Sequence, residues 1–112
     1  MDKVKQYRKM VRGMLSEIAH RFRSNSDWEI LEIYDEEHGQ YLLYTDGWKN
    51  ESRDYGCFMH IEVKDNGIIW LRRDGTDLDI GQQILDQGVT KKEMVIGFHS
   101  PMMRSWTDFA QG

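Results

Sequence analysis

The sequence predicts an α+β fold in which an N-terminal helix packs on a mainly antiparallel sheet. Apolar residues recur at three- and four-residue steps near the start of the chain, which is typical of an amphipathic helix. The segments that follow alternate apolar and polar residues, as half-buried strands do. Short turns join these segments, so we expect a four-strand meander, followed by a helix, a fifth strand and a packed C-terminal tail. All 112 residues fit one domain, 1–112.

The first element is a helix from about residue 2 to 23. Its apolar stripe consists of Val4, Tyr7, Val11, Met14, Leu15, Ile18 and Phe22. The turn-forming residues 24–27 should end the helix.

Two strands follow the helix. Residues 29–35 alternate apolar and acidic side chains, and residues 36–39 form a turn. Residues 40–45 are apolar on both faces, which favours a central strand. Residues 46–53 are polar and turn-rich, so we expect a loop anchored by Trp48.

The third and fourth strands form a hairpin around Asp65-Asn66-Gly67. A two-residue loop would pair Val63 with Trp70, whereas a three-residue loop with Gly67 in the left-handed region would pair Val63 with Ile69. Only the second register keeps one face apolar, and burial decides register. We therefore expect the three-residue loop, with Cys57 on the buried face.

Beyond the hairpin, residues 78–87 have the spacing of a short helix that Gly88 ends. Met94–Phe98 is too short and too apolar for a surface helix and predicts a buried strand. The tail to Gly112 is rich in methionine and aromatic residues, so we expect it to pack on the body.

Composition limits the class of protein. The chain has one cysteine, no apolar run near the ~20 residues of a membrane span, and a charged first segment in place of a leader. These features predict a cytoplasmic protein. Residues 1–23 hold seven basic and two acidic side chains, within a chain of net charge −4. The asymmetry predicts either a basic helix lying on an acidic body or a basic face kept for an anionic partner.

The hairpin register predicts a second, mixed face that is too apolar for plain surface and too charged for a core. Its candidate partner-binding residues are Phe58, His60, Trp70 and Arg72. We expect this face to bind a protein, because specific interfaces favour aromatic and arginine anchors. The rival interpretation is that the chain's own tail covers it through Trp106 and Phe109.

Catalytic interpretations are weaker. Asp54, Glu62 and Lys64 resemble the carboxylates and lysine of a metal-dependent nuclease, but two charges on the outer face of a hairpin are expected anyway. Strand alternation sends Cys57 and His60 to opposite faces, which argues against zinc or a nucleophile pair. We expect no enzyme activity, no catalytic residues and no cofactor. Direct DNA binding is an alternative, but the net negative charge predicts only weak binding.

The ordered motifs of the whole chain resemble the XisI family. They are Tyr7-Arg8, Gly47-Trp48, Tyr55-Gly56-Cys57, His60-Ile61, Trp70, Asp74-Gly75-Thr76, Gly88-Val89, Gly97-Phe98-His99, Pro101, Arg104, Thr107 and Phe109-Ala110. This chain differs from the family pattern in Trp106, where a tyrosine is usual, in the additional Asn66, and in a short C-terminus.

That family is named for a factor controlling excision of the fdxN DNA element in cyanobacteria. The resemblance implies a small α+β regulatory protein without established catalytic activity. It also implies an XisH-like, nuclease-related companion as partner. A second copy of the chain is a further expected partner of the mixed face.

Overall fold

A computed structural model describes residues 2–24 and 27–112, so the predicted turn residues Asn25 and Ser26 lie outside the described residues. The elements are α1 (Lys3–Ser24), β1 (Glu29–Asp35), β2 (Gln40–Lys49), β3 (Ser52–Val63), β4 (Ile69–Asp74), α2 (Ile80–Asp86), a 3-10 turn (Lys91–Glu93), β5 (Met94–Ile96) and α3 (Pro101–Arg104). The strands form one sheet in the order β1-β2-β3-β4-β5. The first four are antiparallel and β5 is parallel to β4. The predicted fold class is confirmed.

The core lies between α1 and one face of the sheet, which we call the inner face. Val11, Leu15 and Ile18 of α1 are buried there. They meet a set of fully buried strand side chains that includes Tyr41, Leu43, Met59, Ile61, Val63, Ile69 and Leu71. Each such aliphatic side chain stabilises the fold by ~1.5–3 kcal/mol. The molecule is only 23 Å thick along its shortest axis, the depth of one helix layer on one sheet.

The basic residues of α1 bind acids of the body. Lys3 pairs with Glu93, and Arg8 pairs with Asp65 at 3.1 Å. Arg12 meets Glu36 at 2.9 Å, and Arg23 meets Glu32 at 2.8 Å. Four of the seven basic side chains are therefore used in docking the helix, as the interpretation of a basic helix on an acidic body predicts.

The hairpin has the predicted register. Val63 pairs with Ile69 and Ile61 pairs with Leu71. Gly67 has φ +84°, the left-handed conformation that a glycine adopts without steric cost. The three-residue loop is confirmed.

A β-bulge at Phe58 corrects the predicted faces of β3. Leu43 pairs with Met59, but Tyr44 pairs with Cys57, so Phe58 is an extra residue. Its ring stacks on Phe22 of α1 at 5.5 Å, on the inner face. Residues of β3 before the bulge therefore point to the face opposite the one that strict alternation predicts. Cys57, predicted on the buried face, lies half-buried on the outer face. Phe58 was wrongly assigned to the mixed face for the same reason.

The predicted loop 46–53 is a continuation of β2 and β3. Trp48 pairs with Arg53, and Asn50 takes φ +57° in the connecting turn. Polar residues on a two-stranded ribbon remain compatible with strand pairing, and an asparagine tolerates the left-handed region that a tight turn requires.

The C-terminal tail closes the far side of the sheet. The fifth strand is shorter than predicted, since it ends at Ile96 and Phe98 is exposed. The chain continues through α3 and returns so that Ala110 bridges to Val95 and donates its N–H to the Met94 oxygen at 2.9 Å. The tail packs through Ala110, as expected, but the side chains of Met102, Met103 and Trp106, on which that expectation rested, are exposed.

Candidate functional site

The side of the sheet opposite α1, which we call the outer face, carries an apolar strip across β1, β2 and β3. We define the strip as Leu31, Ile33, Leu42, Tyr44, Tyr55 and Cys57. The register places them side by side: Leu31 and Cys57 flank Tyr44, and Ile33 pairs with Leu42. Ile33 is 45% exposed and Tyr55 56% exposed. No helix of the described chain covers these six side chains.

Charged and aromatic groups border the strip at one end. Arg53 lies 5.3 Å from the Trp48 ring and 4.9 Å from the Tyr55 ring, and it pairs with Asp46 at 2.6 Å. Tyr55 in turn packs on Tyr44 at 5.8 Å. A hydrophobic centre with a polar, arginine-containing rim is the usual anatomy of a protein interface.

The four predicted partner-binding residues do not form one exposed patch. Phe58 is partly buried on the inner face, where it packs against the core. His60 is half-buried on the outer face, and its Nε2 hydrogen-bonds Oε1 of Gln40 at 2.7 Å. Burial lowers the pKa of His60, and the nearby Arg72 guanidinium lowers it further. His60 is thus a neutral side chain at the edge of the strip.

Trp70 and Arg72 do lie together on the outer face, but the chain itself holds them. Arg72, Arg104 and Lys64 approach the Trp70 ring at 4.6, 5.2 and 5.5 Å. A Cβ on Gly112 would fall 2.6 Å from the same ring, so the tail lies directly against it. The tail therefore covers Trp70, as in the rival interpretation, but through Arg104 and Gly112 and not through Trp106 and Phe109.

Glu62 is part of this charged group. Arg72 donates two hydrogen bonds to Glu62 Oε1, at 2.9 and 2.6 Å, and Lys64 lies 3.6 Å from the other oxygen. Burial raises the pKa of Glu62, but the Arg72 hydrogen bonds and charge outweigh it, so its pKa lies below the usual value. Glu62 is held as an ion-paired carboxylate.

The nuclease trio is not brought together. Asp54 and Glu62 are eight residues apart on one extended strand, a span of roughly 26 Å. The bulge also sends them to opposite faces, and Asp54 accepts a hydrogen bond from Thr45 at 2.8 Å. One metal ion cannot contact both carboxylates, so the three side chains do not form the nuclease site weighed as an alternative.

The argument against a Cys57–His60 pair also needs correction. The bulge places both side chains on the outer face, not on opposite faces. Cys57 Sγ donates to the Met59 oxygen at 3.2 Å, and burial raises the pKa of the thiol. Across residues 2–24 and 27–112, no three His, Cys, Asp or Glu side chains lie close enough together to share a metal ion.

A second apolar group rises from the tail on the same side of the sheet. We call it the α3 knob and define it as Phe98, Met102, Met103 and Trp106, all exposed, with Trp106 at 79%. The helical turn α3 that carries it lies at the outer side of β4, because Arg104 of α3 reaches the Trp70 ring. The sequence showed its methionine and aromatic content, but that content was interpreted as packing, and nothing in the spacing distinguished the two.

The fold and this surface define a small α+β protein with one helix-covered sheet face and an apolar strip left open on β1–β3 of the other. No helix in the described residues is long and apolar enough to cross a membrane.

The chain belongs to the XisI protein family, whose model matches residues 1–111. It is similar to the crystal structure of an XisI-like protein from Anabaena variabilis, with a TM-score of 0.87 and 31% identity over 96% of this chain and 97% of the other. It is also similar to the fdxN element excision controlling factor XisI from Anabaena variabilis, with a TM-score of 0.77 and 28% identity over 99% and 100% of the two chains. Among curated proteins, none matches the sequence.

Proposed function

We propose that the chain is a non-catalytic accessory factor of the XisI type, which controls a DNA-processing protein by binding it. The open outer face supports this most directly. A contiguous apolar strip on a sheet is costly to leave in water, and monomers rarely carry a large one without a use.

The expected partner is an XisH-like companion that supplies the chemistry. The separation of Asp54 from Glu62 removes the metal-dependent nuclease arrangement that the sequence suggested for this chain. An accessory role requires only a surface, and the strip with its Arg53 rim supplies one. We place this activity in the cytoplasm, where the thiol of Cys57 stays reduced.

Direct DNA binding has less support. Lys3, Arg8, Arg12 and Arg23 are paired with acids of the body, so much of the basic footprint of α1 is already neutralised. DNA contacts by the complex would come mainly from the companion.

Co-purification with the XisH-like protein of the same organism tests the proposal. Wild type and Gln6→Asp, a control on the exposed side of α1, should both retain the companion. Tyr55→Asp should lose it, because a charge in the strip would have to be desolvated at the interface. Retention by all three proteins would show that the strip does not bind the companion. Failure of wild type to bind would refute the proposed function.

A further inference from the structure

We propose that a second copy of this chain occupies the apolar strip, in a two-fold dimer whose axis runs along the strand direction. The inference rests on the proposed function only in treating the strip as a protein-binding surface. It goes further by naming the occupant of the strip in the free chain, a second copy that the XisH-like companion would displace, and the geometry of that dimer.

The area of the outer face supports a dimer that uses all of it. Three strands of seven residues give the strip a flat footprint of roughly 14 by 24 Å, or roughly 350 Å². Adding β4 (six residues) and β5 (three residues) brings the footprint to roughly 490 Å², and upright side chains add to the accessible area. A stable interface buries ~800 Å² of accessible area per partner, so the strip alone is too small and a dimer must use the whole outer face with its upright side chains.

The outer face has a raised half and a bare, uncovered half, so its shape can complement that of a second copy. The β1–β3 half carries no covering element of the described chain, whereas Arg104 of α3 and Gly112 of the tail lie on Trp70 of the β4–β5 half. Two copies meeting face to face about an axis along the strands place the raised half of each over the bare half of the other. An axis across the strands would instead set knob against knob and leave the two bare halves apart.

Charge favours the same axis. The outer side of β1 carries Glu29 and Asp35, since they pair with Asp46 and Gln40 of β2 on that face. The opposite side of the face carries Arg73 and the Glu62-paired Arg72, with Arg104 above Trp70. An axis along the strands brings the acidic edge of one copy to the basic side of the other, whereas the crossed axis places acid over acid.

The knob itself has the composition of an interface anchor. Methionine side chains adapt to irregular surfaces, and tryptophan is enriched among residues that dominate binding energy. Ile33 and Leu42, on the bare half, offer the apolar floor on which such side chains pack.

Sedimentation or light scattering of the purified chain over a concentration series tests the dimer. Wild type should approach twice the 13.3 kDa chain mass. Ile33→Asp and Trp106→Ala should each raise the dimer dissociation constant by about 30-fold or more, whereas Gln6→Asp should not change it. A wild-type chain that stays monomeric to ~1 mM would overturn the inference. So would a dimer whose dissociation constant is unchanged by both Ile33→Asp and Trp106→Ala.

Crosslinking tests the axis. In a Cys57→Ser background, an Ile33→Cys chain mixed with a Met102→Cys chain should link through a short bis-maleimide. Ile33→Cys alone should not link to itself. Self-linking of Ile33→Cys without the mixed product would indicate the crossed axis and refute the proposed geometry.

These outcomes are separable from those of the proposed function. A monomeric chain that still loses the XisH-like companion on Tyr55→Asp would leave the function standing and remove the dimer. A chain that dimerises but fails to bind the companion would leave the dimer standing and refute the proposed function.

Discussion

At the scale of single residues, Phe58 decides which side chains reach the outer face. The alternation from Met59 to Val63 was predicted correctly, because each inward residue there is buried. The alternation before Phe58 was not, since an extra residue in a strand leaves no mark in a period-two pattern. The only available signal was that Phe58, a large apolar residue, would otherwise stand on a charged face.

Replacing the aromatic residues on either side of the bulge distinguishes the two faces. Phe58→Ala should lower the free energy of unfolding by about 2–4 kcal/mol, because it empties a site packed on Phe22. Tyr55→Ala, its matched control on the outer face, should cost less than about 1 kcal/mol in the isolated chain at concentrations below dimerisation. Urea unfolding measures both. A larger cost for Tyr55→Ala than for Phe58→Ala would contradict the observed bulge.

Glu93 ties the start of α1 to the turn before β5. It pairs with Lys3, accepts a hydrogen bond from Tyr7 at 2.9 Å, and receives the Thr90 N–H at 3.1 Å. The Lys3 hydrogen bond, together with those from Thr90 and Tyr7, lowers the pKa of Glu93 to about 2 against the effect of burial.

The depressed pKa of Glu93 predicts an acid-dependent stability. The contribution is complete above the unfolded value near 4.5 and is lost as the pH falls toward 2. Glu93→Gln should therefore cost about 1–2 kcal/mol at pH 7, a discounted figure because Lys3 is exposed. Melting temperatures of wild type and variant should converge near pH 2, while Glu51→Gln follows wild type throughout. A constant gap across pH would show that Glu93 acts through packing alone.

Trp70 should act through the tail. Trp70→Ala removes the ring beneath Arg104 and Gly112, so it should cost about 2–4 kcal/mol of unfolding free energy and expose the tail to proteases. Trp106→Ala, at an exposed position, should leave both stability and cleavage unchanged in the monomer. Unchanged cleavage of Trp70→Ala would show that the ring does not hold the tail.

At the scale of elements, the sequence predicted each long helix and strand whose pattern is periodic. The stripe of α1 and the hairpin register both followed from burial, since one alternative alone kept a face apolar. The continuation of β2 and β3 through residues 46–53 was missed, because its side chains are polar and its strand pairing rests on backbone hydrogen bonds that side-chain periodicity does not reveal. The path of the tail over Trp70 was also beyond prediction, as it depends on contacts distant in sequence.

At the scale of the whole molecule, the ion pairs of α1 predict weak DNA binding by the isolated chain. Binding to duplex DNA should be weaker than about 1 µM at physiological salt and should fall steeply as salt rises. Fluorescence anisotropy with two unrelated duplexes, and Lys9→Glu as a charge control, measures it. Sequence-specific binding in the nanomolar range would contradict the accessory role argued from the outer face.

The central claim is that the apolar strip is covered by protein in the working assembly, and Cys57, the only cysteine, reports on it directly. The measurement is the alkylation rate of Cys57 at one pH, in wild type at high concentration and in folded Ile33→Asp at the same concentration. Coverage of the strip predicts a rate at least about ten-fold slower in wild type and in Gln6→Asp than in Ile33→Asp. Equal rates in all three folded proteins, with the XisH-like companion absent and then present, would show that the strip is open and would contradict the claim.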